Sequence, residues 1–217
     1  MSLDAIRPPQ FDAAFLRDFE QLLVWRRDVR HFRRDPVDPA LVDRLIAMAC
    51  LAPSVGNSQP WRFVRVVDAD RRATVRANFV ACNADALADY EGERAKLYAS
   101  LKLSGLDDAP VHLAVFCDRE TLAGQGLGRK TMPATLDYSV VAAIHTFWLA
   151  ARLHGLGVGW VSIIDPEQVK RALDVPTAWS LIGYFCVGLP VDDSDVPELV
   201  RLGWQDRVNL DKVLFTR

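Results

Sequence analysis

An excess of either charge is missing from this chain: 26 Lys and Arg face 28 Asp and Glu, leaving a formal charge of −2. A near-neutral surface exerts no general pull on nucleic acid or anionic lipid, so any anion site must be local. Long hydrophobic runs are missing too. Val140 to Ile144 is far too short to cross a bilayer, and Met1-Ser2-Leu3-Asp4 has no basic start followed by an apolar stretch. The expectation is a cytoplasmic protein without membrane or nucleic-acid partners. The four cysteines (Cys50, Cys82, Cys117, Cys186) lie far apart, which excludes a paired metal-binding spacing and reads as buried, reduced thiols. His31, His112, His145 and His154 show no ligand spacing either, so no metal is expected, and each reads as a packed or surface histidine. No phosphate-binding loop ending in Gly-Lys-Ser/Thr occurs, and Ser162 has no nucleophile elbow around it.

What is present is a 217-residue chain, half of it hydrophobic, which is enough for one sizeable core. It reads as a single domain over 1–217, with an irregular arm at 1–10 and a C-terminal extension at 191–217. Phe15, Phe19, Leu22 and Leu23 recur at helical spacing from about Asp12, and the helix delivers Trp25 to Arg30 at its end. Asp38-Pro39 is an N-cap followed by proline at the first helical position, and the helix it opens is expected to bury Leu41, Leu45, Ile46 and Met48. Phe63 to Val67 reads as a strand, Asp68 to Leu103 as a polar helix, and His112 to Cys117 as a strand buried on both faces. A helix from Thr135 to Leu153 is apolar around most of its circumference, so it must be covered on all those sides. A strand from Val158 to Ile164, a helix capped by Asp165-Pro166 and a strand from Leu181 to Val187 complete an α+β or α/β class around a central sheet.

Three segments could carry chemistry. Arg26-Arg27-Asp28-Val29-Arg30 sets three guanidiniums about one carboxylate at a helix end. Planar guanidinium forks suit phosphate oxygens, although such a run also neutralises a helix C-terminus. Leu51 to Trp61 is a turn-rich loop in which Gly56 can take a positive φ and Ser54, Asn57 and Gln59 offer donors and acceptors; it could grip a flat heterocycle, or merely connect. Gly155-Leu156-Gly157-Val158-Gly159-Trp160-Val161-Ser162 puts small residues, which admit a ligand to the backbone, before a strand that ends in a hydroxyl.

In order and content, Arg26 to Arg30, Pro53 to Trp61, the helix bearing Lys102, Leu127 to Tyr138 and Trp148 to Ser162 resemble the nitroreductase-like FMN superfamily. Within it they resemble the 5,6-dimethylbenzimidazole synthase family, from about residue 20 to 215. The resemblance implies a nitroreductase-like FMN fold with a central mixed sheet flanked by helices, and a homodimer with two FMN sites built from both chains. It implies that Arg26, Arg30 and Arg207 hold the flavin phosphate, with Arg27 and Val29 in the same binding segment. Lys102 would lie near the ring or ribityl chain, and Ser54, Val55 and Gly56 would meet the isoalloxazine.

Asp28 separates the branches, because ordinary nitroreductases carry serine there. A hydroxyl can only hydrogen-bond, whereas a carboxylate can also take up a proton. Asp28 and Ser162 together match the synthase pattern, which makes them the catalytic candidates. The reaction implied joins reduced FMN, supplied by a separate flavin reductase, with dioxygen at C4a; it then fragments ring and ribityl chain into dimethylbenzimidazole and erythrose 4-phosphate. Asn57-Ser58 instead follow the polar loop of the reductases. Two further readings therefore stay open: an NAD(P)H-dependent nitroreductase with bound FMN, and a non-catalytic FMN-binding protein.

Overall fold

The computed structural model of the protein describes residues 8–101 and 104–217. Eight helices and four strands follow in the order α1 (Ala13–Trp25), α2 (Pro39–Ala49), β1 (Trp61–Arg65), α3 (Ala69–Ala88), α4 (Gly92–Ser100), α5 (Gly105–Asp108), β2 (Val111–Asp118), α6 (Thr135–Leu153), β3 (Gly157–Val161), α7 (Pro166–Leu173), β4 (Trp179–Gly188) and α8 (Glu198–Arg201). The strands pair as β1-β2-β4-β3. All three ladders are antiparallel, so the sheet is not the mixed one expected. Among the described residues, parallel pairing survives only as the single bridge Asp28↔Val158.

Alternation along β2 shows why its run from Leu113 to Cys117 is apolar throughout. Leu113, Val115 and Cys117 enter one core with Leu45 of α2 and Val140, Ala143, Ile144 and Phe147 of α6. Ala114 and Phe116 enter the other with Val75 of α3, Leu106 of α5 and Val169 and Leu173 of α7. A strand covered by helices on both faces carries no polar face.

Caps fall where side chains can close them. Asp12 accepts from Phe15 N, Asp38 from Ala40 N ahead of Pro39, and Asp165 from Glu167 N ahead of Pro166. Other expectations shift. The polar helix breaks at Tyr90-Glu91-Gly92, where Gly92 takes φ +57°, giving α3 and α4. On α2 the buried residues are Val42, Leu45 and Ala49, with Met48 exposed. Cys117 and Cys186 are buried as expected, but Cys50 is exposed at the end of α2; all four thiols are free. No helix among the described residues is long and apolar enough to cross a membrane.

His112 of β2 is buried, and its Nδ1 lies 2.8 Å from the Tyr184 hydroxyl of β4. Burial, helped by the Arg72 guanidinium, pushes its imidazole down to about 4. The folded state therefore refuses a proton that the unfolded chain accepts below about pH 6.5, so stability is lost as pH falls through that window. The loss is expected to reach about 3 kcal/mol at most. Denaturant titrations across pH 4 to 7 should show a shallower slope for His112→Asn, and parallel slopes would reject the assignment.

Candidate active site

The guanidinium segment reaches the sheet because α1 stops at Trp25. Arg26 caps the helix, its N–H donating to Leu22 O at 2.9 Å, and the chain beyond it turns extended. It then lies beside β3: Val29 N donates to Val158 O at 3.0 Å, and Trp160 N donates to Asp28 Oδ1 at 2.9 Å. Downstream, Arg33 N donates to Leu189 O and Val191 N to His31 O, which draws the start of the C-terminal extension over the same place.

Such close approach depends on glycine. A Cβ at Gly159 would stand 2.1 Å from the Val29 carbonyl oxygen, and one at Gly157 would stand 2.7 Å from Val29 Cγ2. These glycines admit the chain's own segment, not a ligand as their spacing suggested.

Asp28 sits where two cavities abut, for both it and Arg30 line each of them. One, of about 170 Å³, is rich in guanidinium groups and includes Arg26, Arg27, Arg152 and Trp148. The other, of about 200 Å³, is walled by Phe79, Tyr98, Trp160 and Trp204, with Asn83 and Ser162 as its polar members. Asp28 and Ser162 thus face the same space. The protein packed around Asp28 strips water from its carboxyl and raises it above the usual carboxylate range. The Trp160 N–H and Arg30, whose Nε is 3.6 Å from Asp28 Oδ2, pull the other way. Yet 41% of the Asp28 side chain remains accessible, so it meets the cavities rather than the core.

The other arginines divide their work. Arg26 stacks on Trp148 at 5.4 Å, and its buried Nε has no protein partner among the described residues. Arg27 is committed to carbonyl oxygens of Leu23, Arg26 and Asp195, which makes it a strut between α1 and the extension. Burial lowers the Arg27 pKa, and the guanidiniums of Arg26 and Arg207 lower it further.

The Ser54–Gly56 loop lies elsewhere. Ser54 Oγ accepts from Gln59 N at 3.1 Å, Val55 N donates to Ser139 Oγ of α6 at 3.0 Å, and Gly56 takes φ +56° as expected. Gly56 lines a separate, open depression with Gly124 to Gly128, away from Asp28. Within one chain the structure does not unite this loop with the carboxylate. Lys102 lies outside the described residues.

Sequence reasoning missed Asn83, Tyr98 and Trp204 as a wall. Tyr98 donates to Asn83 Oδ1 at 3.0 Å and stacks on Tyr90, while Arg94 lies 3.9 Å over Trp204. Their one signal was Trp204, the single tryptophan of the C-terminal extension.

The sequence model of the nitroreductase family matches residues 23–189. The backbone superposes on the crystal structure of oxidized iodotyrosine deiodinase bound to FMN and 3-iodo-L-tyrosine with a TM-score of 0.69, at 23% identity, covering 81% of this chain and 91% of that one. The chain belongs to the nitroreductase family. Within it the chain falls with the 5,6-dimethylbenzimidazole synthases: it is 58% identical to that of Rhodospirillum rubrum, over 92% of this chain and 94% of that protein. It is 52% identical to one from Rhodobacter capsulatus, over 87% of this chain and 91% of that protein.

Proposed function

We propose that this protein is an oxidoreductase that uses dioxygen to fragment reduced FMN into 5,6-dimethylbenzimidazole, the lower ligand of cobalamin, and erythrose 4-phosphate. The observation that carries this reading is Asp28 at the joint of a cationic and an aromatic-walled cavity. An elongate ligand with a phosphate at one end and a planar ring at the other suits that shape, and its sugar chain would cross Asp28. Bound there, the reduced flavin supplies the electrons for dioxygen.

The chain's own residues supply the rest. Arg26, with a buried Nε that no protein group among the described residues satisfies, holds the phosphate together with Arg30 and Arg207. Arg27 and Val29 keep that segment in place. Asp28 takes a proton from the ribityl chain, its carboxyl prepared by burial for proton exchange. Ser162 hydrogen-bonds the flavin ring, with Lys102 near the ring or ribityl chain.

A homodimer completes the site in this reading. Phe11 just before α1, Phe15, Phe19 and Leu23 along it and Tyr138 and Val141 on α6 leave an apolar surface uncovered. A second copy packed on it would bring its own Ser54, Val55 and Gly56 to the isoalloxazine. The protein is taken as one domain, with the extension beyond residue 190 helping to close the site. It would work in the cytoplasm, fed by a separate flavin reductase.

The test is direct. Purified protein mixed with photoreduced FMN and then exposed to air is expected to yield dimethylbenzimidazole, read by mass spectrometry. Quantitative recovery of FMN would instead assign the protein to flavin reduction or carriage.

A further inference from the structure

His31 and Glu198 have no part in the reading above, yet both line the cationic cavity with Asp28. Ser104 fixes the imidazole tautomer. The Ser104 hydroxyl can give its own proton to Arg30 O, at 3.2 Å, or to the Asp108 carboxylate beside it, and Asp108 is held ionised by Arg34. Both are acceptors only, so the Ser104 oxygen, 3.1 Å from His31 Nδ1, receives the Nδ1 proton. His31 Nε2 is left facing Glu198 Oε1 at 3.8 Å. A bare nitrogen there would oppose a carboxylate, acceptor against acceptor. Either group can carry a proton at this place, the imidazole on Nε2 or the carboxyl on Oε1.

We propose that His31 and Glu198 form a relay, two positioning residues that carry away the proton Asp28 takes from the substrate. The inference rests on the role given to Asp28. Glu198 lines the same cavity as Asp28, while His31, at 44% side-chain exposure, meets solvent. Each turnover moves one proton: the Asp28 O–H breaks, Glu198 gains the proton across the shared cavity, and His31 loses one to water. Glu198 then passes its proton to Nε2, which restores the pair. The other charged groups lining this cavity are Arg26, Arg27, Arg30, Arg152 and Arg201, with Asp192 and Asp193 on the connection after β4.

The experiment follows dimethylbenzimidazole formation at saturating reduced FMN in weakly buffered solution, for the parent, Glu198→Gln and His31→Gln. Each variant is expected to lose about tenfold or more in kcat with KM for reduced FMN unchanged. Added imidazole, a mobile proton carrier, should restore the rate in the variants and leave the parent unaffected. Glu198→Gln turning over at the parent rate would overturn the relay, as would a loss that imidazole does not repair or one confined to KM. Should His31→Gln fail to fold, Glu198→Gln decides the matter. A parent that makes no dimethylbenzimidazole would defeat the proposed function itself, whereas a productive parent with an indifferent Glu198→Gln defeats the relay alone.

Discussion

An Asp28→Asn protein is expected to bind reduced FMN and yet form dimethylbenzimidazole about a hundred- to ten-thousand-fold more slowly than the parent. The substitution is nearly isosteric, and the amide oxygen still accepts from Trp160 N, so the segment stays on β3. What disappears is the capacity to take up a proton. Stability provides an internal control, because the folded state raises the carboxyl and so holds its proton more tightly than the unfolded chain does. That contribution is complete below about pH 3.8 and is lost as pH rises through the folded value. The variant should therefore gain in melting temperature relative to the parent as pH rises from 4 to 8. Parent-level turnover would reject the role of Asp28, and a collapsed melt would show that the loss of rate came from unfolding.

Gly159→Ala is expected to abolish more than nine-tenths of the activity and to cost about 1 to 3 kcal/mol of stability or more, through overpacking. The Cβ would meet backbone, the Val29 carbonyl at 2.1 Å, so no rotamer change relieves it. The segment must lift, and with it go the Val29–Val158 and Trp160–Asp28 hydrogen bonds. Gly155 marks the contrast: at φ +71° it has nothing within 4 Å, so alanine there meets backbone strain without a collision. Thermal melts and product yields of both variants check the claim. A Gly159→Ala protein matching the parent in both would refute it.

The legible parts of the molecule are those governed by local chemistry. Asp12, Asp38-Pro39 and Asp165-Pro166 announce helix starts because a capping carboxylate acts on the next turn. The apolar run of β2 announces two covered faces, and Arg26 to Arg30 announces the guanidinium groups that line one cavity. The antiparallel order of the sheet was hidden, since it depends on which strands meet rather than on any one of them. Ser54 looked free, but its hydroxyl closes its own loop onto Gln59 N. His31 looked like any packed or surface histidine because Ser104 and Glu198, which define its hydrogen bonding, lie far along the chain. The spacing of Gly157 and Gly159 was visible, but its beneficiary, Val29, was not. Phe15, Phe19 and Leu23 of α1 follow helical spacing and still face outward; in the proposed dimer a second copy would cover them.

One hydrogen bond has a stereochemical consequence. With Oδ1 tied to the main-chain N–H of Trp160, Asp28 cannot rotate freely and presents Oδ2 from a single direction. In the proposed reaction, a base tethered in this way distinguishes the two hydrogens of a prochiral methylene, so the handedness of proton removal is written into the edge of β3.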